Sequence, residues 1–245
     1  MFLLFDFNYI SMKNLVILTG AGISAESGIS TFRDSDGLWE QHKVEDVASI
    51  EGWYKNPELV LNFYNQRREQ LANVEPNAAH NIIHELEQHF NVCVITQNVD
   101  NLHERAGSTN IIHLHGELTK VRSVADDETI YEIGYKPINI GDTDEHGSQL
   151  RPHIVWFGEQ VPMLNVAANI VAKADIIAII GTSLTVYPAA SLVNYKKNGA
   201  HVFLINPNDV NNFNIQNLTV IKEKATVGVA KMRDILMQET TCPNE

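Results

Sequence analysis

Cysteine is nearly absent. The 245-residue chain has two, Cys93 inside an apolar run and Cys242 in the polar tail, which make no disulfide framework and fit a reducing compartment. A basic excess is absent as well: 18 lysines and arginines against 30 aspartates and glutamates leave a formal net charge of -12. That balance argues against a nucleic-acid footprint and favours basic partners such as lysine-rich protein segments. No apolar run is long enough to span a bilayer. The opening MFLLFDFNYISM carries Asp6 and neither a basic leader nor a small-residue cleavage site, so it reads as an untargeted extension, with Met12 as an alternative start. The expectation is a cytoplasmic protein with no membrane or nucleic-acid partner.

What is present is ordinary globular material, 44% hydrophobic and 20% charged, in a length that suits one sizeable domain. Short β-branched apolar runs at 15–19, 92–96, 111–114, 176–180 and 202–206 predict strands buried on both faces, hence a parallel sheet. Helical patterns fill 57–71, 78–88, 189–197 and roughly 227–238. The expected fold is α/β, a Rossmann-like doubly wound parallel sheet with a smaller inserted subdomain. As one domain over 1–245, it divides into a core of about 12–34, 75–118 and 151–245 and a subdomain from the insertions 35–74 and 119–150.

Five stretches carry chemistry. GAGISAESGISTFR, residues 20–33, follows the first strand, and Gly20, Gly22 and Ala25 match the G-x-G-x-x-G/A spacing of a turn and helix N-terminus that cradle a pyrophosphate. The acidic strand end expected about 20 residues on is missing, so the loop has another task; Phe32 and Arg33 suit covering a ligand and contacting phosphate. TQNVDNLH, residues 96–103, sits at the carboxyl end of a strand, where Asn98 and Asp100 suit ribose hydroxyls and an amide, or else cap the next helix. In IHLHGE, residues 112–117, His113 and His115 lie on one side of a strand, which fits a metal pair or a single general base. RPHIVWFGE, residues 151–159, is an extended apolar segment able to pair with an incoming peptide. Gly181, Thr182, Ser183 and Leu184 follow a buried strand and offer NH groups and hydroxyls to phosphate or ribose, and Asn206 ends the next strand.

In this order the motifs GAGISAESGISTFR, TQNVDNLHERAG, HLHGEL, RPHIVWFGE and GTSL resemble the sirtuin (Sir2) family of NAD-dependent protein lysine deacylases, over about residues 15–225. The resemblance implies that the loop after the glycine turn closes over the nicotinamide end of NAD. It implies His115 as catalytic base, with Asn98 beside it. For the cofactor it implies Gly20, Ala21, Gly22, Phe32, Arg33, Trp39, Gln97, Asn98, Val99, Asp100, Gly181, Thr182, Ser183, Asn206 and Ala225, and for the acyl-lysine segment Val155, Phe157 and Gly158. The implied chemistry consumes NAD: the acyl oxygen attacks the ribose carbon bearing nicotinamide, and free lysine, nicotinamide and O-acyl-ADP-ribose result.

Two finer expectations follow from the resemblance. Tyr64 and Arg67, at i and i+3 in FYNQRR, resemble the subgroup that removes acidic acyl chains such as succinyl, with Ala48 as the small residue that leaves room; Arg68 next to them reads as a solvated helix face. Most relatives also carry two C-x-x-C pairs between the histidine motif and the RPHIVWFGE counterpart, whereas here no cysteine lies between His115 and Arg151. No zinc is therefore expected, and Ile130, Tyr131, Ile133, Tyr135 and Ile138 are expected to pack the subdomain instead. The competing readings are a sirtuin-like ADP-ribosyltransferase, a non-catalytic NAD or ADP-ribose sensor, and, weaker, a metal-dependent hydrolase built on His113 and His115.

Overall fold

The computed structural model describes residues 12–30, 38–39, 42–126, 128–210 and 215–241. Strand β1 (Asn14–Thr19) is followed by the two-residue strands β2 (Leu38–Trp39) and β3 (His42–Lys43) and by helices α1 (Val44–Val47), α2 (Ile50–Lys55), α3 (Pro57–Ala72) and α4 (Ala78–Glu85). Then come β4 (Asn91–Thr96), α5 (Leu102–Ala106), β5 (Ile111–His113), β6 (Gly116–Ser123), β7 (Ile130–Glu132) and β8 (Leu150–Ile154). Helix α6 (Leu164–Val171), strands β9 (Ile176–Ile180), β10 (His201–Ile205) and β11 (Leu218–Ile221), and helix α7 (Ala225–Thr241) complete the chain.

Six strands form one parallel sheet in the order β11-β10-β9-β1-β4-β5. The order grows from β1 in one direction and then from β9 in the other, so the carboxyl ends of β1 and β9 flank the switch point where ligands of doubly wound sheets bind. The fold is α/β and Rossmann-like. Alternate side chains feed two apolar layers: Leu15 and Ile17 join Ala178 and Ile180 beneath α4 and α7, while Val16 and Leu18 join Ile177 and Ile179 beneath α6. Each such fully buried aliphatic side chain stabilises the fold by about 1.5–3 kcal/mol. The helices start where the sequence offers caps. The Asn56 side chain accepts from Leu59 N ahead of Pro57, and Asn77 and His80 form a reciprocal box at α4. Among the described residues no helix is long and apolar enough to cross a membrane.

A second, antiparallel sheet, β7-β6-β8, packs with α3 around a separate core that includes Phe63, Tyr64, Leu118, Val121, Ile154 and Trp156. Three expectations need correction here. Residues 189–195 form a 3-10 rather than an α-helix. Of the five residues expected to pack this region, Ile138 is buried, Tyr131 and Ile133 are half-buried against the core, and Ile130 and Tyr135 are exposed. Arg68 is not solvated. It is fully buried, its Nε donates to the Lys136 carbonyl at 3.2 Å, and burial lowers its pKa to about 10. The loop after β7 covers that side of α3 and supplies the carbonyl.

Candidate functional site

The turns that leave β1 and β9 touch backbone to backbone. Gly20 N donates to the Ile180 carbonyl at 3.0 Å and Gly22 N to the Gly181 carbonyl at 2.9 Å. A Cβ on Gly22 would lie 2.7 Å from Gly181 Cα, and one on Gly20 the same distance from Thr182 Cβ, so these positions admit only glycine without a backbone shift. Beyond Gly20 the chain makes two short 3-10 turns, Ala21–Ile23 and Ala25–Ser27. The long helix of an ordinary dinucleotide fingerprint does not form there.

The end of β4 adds a buried polar network. Gln97 N donates to the Thr19 carbonyl (2.9 Å) and its Nε2 to Thr182 Oγ1 (3.2 Å), crossing from one turn to the other. Asn98 is buried; its Nδ2 reaches the Gly20 carbonyl and Ser24 Oγ, each at 3.2 Å. Ser24 Oγ in turn donates to Asp100 Oδ2 at 2.9 Å, while Asp100 Oδ1 accepts from Leu102 N. Burial pushes the Asp100 pKa up against these hydrogen bonds. Asp100 thus both accepts from the first residue of α5 and joins this network. Ser24 was not singled out from the sequence, although it lies inside GAGISAESGISTFR; its partner is 76 residues away.

His115 follows β5, and its Nδ1 meets the Gln97 carbonyl at 3.0 Å. A carbonyl only accepts, so Nδ1 carries the hydrogen and Nε2 keeps its lone pair. Burial lowers the pKa of the ring, the hydrogen bond to Gln97 opposing, which favours the neutral base. His113 turns to other partners, the Asn98 carbonyl at Nδ1 (3.2 Å) and Glu104 Oε1 at Nε2 (2.6 Å). The two histidines therefore do not converge as a metal pair. Ligand atoms of Glu104, His113 and Glu117 do lie within 4.8 Å of one another, but His113 spends both nitrogens as donors.

Segment 155–159 runs between His115 and α1. Val155 N donates to the His115 carbonyl and Phe157 N to the Ala48 carbonyl, each at 2.9 Å. It is held from behind by Glu159, which accepts from Arg151 at 2.7 and 3.1 Å, from Arg122 at 3.3 and 3.4 Å, and from Trp156 N at 2.7 Å. Burial works against the Glu159 carboxylate, but the Arg151 hydrogen bonds outweigh it and lower its pKa. The Arg151 guanidinium stacks 3.5 Å from the Trp156 ring centroid, and Trp156 Nε1 donates to Tyr64 Oη at 3.0 Å. Tyr64 is fully buried and its phenol pKa is raised by that burial. Arg67 is half-buried, 5.2 Å over the Phe63 ring, and lines a small cleft of about 40 Å³ with Leu71, Val99, Asp100 and Leu118. Phe157 and Gly158 are exposed beside an open groove of about 470 Å³.

Of the remaining expected site residues, Asn206 Nδ2 donates to the Thr182 carbonyl at 3.0 Å, Ser183 Oγ pairs with Thr185 Oγ1 at 2.7 Å, and Ala225 is buried at the start of α7. Phe32 and Arg33 lie outside the described residues, as does the side chain of Trp39, whose backbone is in β2.

Comparison with known proteins places this geometry. A sequence model described as "Sir2 family" matches residues 20–188. A relative named NAD-dependent protein deacylase from Bacteroides thetaiotaomicron is 55% identical over 231 residues, covering 92% of this chain and 99% of its own. Among solved structures, a mutant Sir2 homologue in complex with ADP ribose superposes with a TM-score of 0.86 at 40% identity, covering 96% of each chain. A structure described as Sir2-p53 peptide-NAD+ superposes with a TM-score of 0.77 at 30% identity, covering 93% of this chain and 95% of the other. With the match running from the Gly20 turn through β9 and its turn, and likeness to relatives over nearly the full length, the chain belongs to the Sir2 family.

Proposed function

We propose that this protein is an NAD-dependent protein deacylase that, consuming one NAD and one water per turnover, removes acyl groups, among them succinyl, malonyl and acetyl, from protein lysines, giving nicotinamide, O-acyl-ADP-ribose and free lysine. The observation that carries the reading is the His115 ring, held at Nδ1 by the Gln97 carbonyl so that Nε2 keeps its lone pair, next to the buried Asn98 and Asp100. The name of the Bacteroides relative and the ADP-ribose and peptide–NAD+ complexes of the structural neighbours support it.

The chain fits NAD on its own terms. Gly20, Gly22 and Gly181 let the turns after β1 and β9 abut where any Cβ would collide with the facing turn, and to the pyrophosphate and adenosine end we assign these turns with Ala21, Thr182, Ser183, Asn206 and Ala225. To the ribose and nicotinamide end we assign Gln97, Asn98, Val99 and Asp100, and by the family resemblance Phe32, Arg33 and Trp39. Bound NAD supplies an electrophilic ribose carbon and a leaving group; His115 takes a ribose hydroxyl proton at Nε2. Val155, Phe157 and Gly158 receive the acyl-lysine segment. Tyr64 and Arg67, with room left by Ala48, select acidic acyl chains, because a phenol and a guanidinium together bind a distal carboxylate. Residues 35–74 and 119–150 act as the smaller subdomain that holds the acyl end against the core, and the location is cytoplasmic.

The test is incubation with acetyl-, succinyl- and malonyl-lysine peptides with and without NAD, reading nicotinamide and product mass. The expected products are free lysine and O-acyl-ADP-ribose. Peptide gaining the mass of ADP-ribose would mark a transferase of that group instead, and binding without nicotinamide release would mark a sensor.

A further inference from the structure

The proposed reaction gives His113 no part, yet its surroundings are specific. Its Nδ1 faces the Asn98 carbonyl at 3.2 Å and its Nε2 the Glu104 carboxylate at 2.6 Å. Neither acceptor has a hydrogen to give, so both ring nitrogens carry one and the ring is an imidazolium. The carbonyl it holds belongs to the residue whose side chain ties Gly20 to Ser24, and the carbonyl before it, that of Gln97, is held by His115. Two imidazoles two residues apart thus hold consecutive carbonyls of the turn that carries Asn98 and Asp100.

We propose that His113, as an imidazolium bridging the Asn98 carbonyl and the Glu104 carboxylate, is a positioning residue that sets the orientation of the 97–100 turn and makes NAD affinity depend on pH. The inference rests on the reading of that turn as part of the NAD site. The groups that face the ring are Glu104 and His103 from α5, Asp100 from the turn, and Glu117 from β6, which is itself paired with Lys120 at 2.7 Å. Burial opposes the charge on His113, but the hydrogen bond and charge of Glu104, aided by Glu117, override it and raise its pKa. Glu104 answers in the same sense, burial opposing its ionised form and His113 lowering its pKa on balance. The cation is therefore complete in acid. It is lost as pH rises through the raised pKa, when one ring nitrogen is left facing an acceptor with no hydrogen between them.

The test combines a histidine-ring NMR titration with calorimetric NAD binding across the same pH range, on the wild type, Glu104→Gln and His113→Gln. The wild-type Kd should weaken by about fivefold, the scale of one impaired hydrogen bond, with the midpoint at which His113 titrates. Glu104→Gln should move both midpoints to lower pH, and His113→Gln should bind at the weaker level with that step gone. His113 titrating at or below the free-histidine value, or binding profiles that superimpose for the wild type and Glu104→Gln, would overturn the proposal while leaving the functional reading intact. A wild type that binds NAD at no pH would overturn both.

Discussion

His115 donates its Nδ1 hydrogen to the backbone carbonyl of Gln97 across 3.0 Å, a contact between a residue just past one strand and the first residue after its neighbour. That single bond fixes which nitrogen is basic. It also leaves the ring able to act on a hydroxyl placed at Nε2.

Replacing His115 with Ala should therefore lower NAD-dependent deacylation by roughly 10²-fold or more while ADP-ribose binding persists. The pH profile should follow the lowered pKa: a base must be neutral, so turnover holds below the ordinary histidine value of about 6.5 and falls only as pH drops through the depressed one. Near-normal nicotinamide-coupled turnover by the variant would remove His115 from the mechanism.

Arg67→Met should leave a distal acyl carboxylate without its cation, costing about 2 to 4 kcal/mol in kcat/KM for succinyl-lysine. Acetyl-lysine has no such carboxylate and should lose much less. Because both substrates are measured on one variant, a general loss of folding cancels. Equal losses would return Arg67 to the cleft it shares with Asp100 as a cofactor or structural residue.

Glu159→Gln should lower the unfolding free energy by about 3 kcal/mol, since Arg151 and Arg122, with side chains 5% and 7% exposed, lose the carboxylate set between them. The pH dependence has a definite sign. A carboxylate whose folded pKa is lowered stabilises above its unfolded pKa, and that contribution disappears as pH falls through the folded value. Urea unfolding of the two proteins at neutral and acid pH measures both effects. A difference within about 0.5 kcal/mol at neutral pH would show that the cluster is held by packing alone.

Purified protein should carry no stoichiometric zinc, and a chelator should leave its Tm unchanged. The reason is chemical: no thiolate lies between His115 and Arg151, and β6 and β8 are joined there by backbone pairing over buried Val121, Ile138 and Ile154. One bound equivalent whose removal unfolds the small sheet would contradict this.

Much of the fold was legible in the residues themselves. Runs such as LVILT and IIAII are almost wholly apolar and rich in β-branched residues, a composition that suits a strand covered on both faces, and the glycines after β1 and β9 mark where backbones meet. Less legible were β11, a four-residue edge strand with only Ile221 buried, and the helical stretch at 189–195, because 3-10 and α turns present nearly the same apolar face. The two arginines at 67 and 68 look alike in sequence, yet one lines a cleft and the other is sealed beneath a loop that offers it the Lys136 carbonyl.

The residue types of the site, an imidazole, a carboxamide, a carboxylate and paired glycines, are written locally, because each is set by the chemistry its own motif must perform. Their relations are not. Ser24 meets Asp100, Gln97 meets Thr182 and Trp156 meets Tyr64 across 76, 85 and 92 residues of chain. Such contacts arise only when a parallel sheet brings successive strand ends to one edge and a second sheet packs against a helix from elsewhere in the chain. Proton positions on His113 and His115 follow from which carbonyls those ends present, so the sequence determined which groups are available and the tertiary structure decided which of them is base, which is cation and what each one holds.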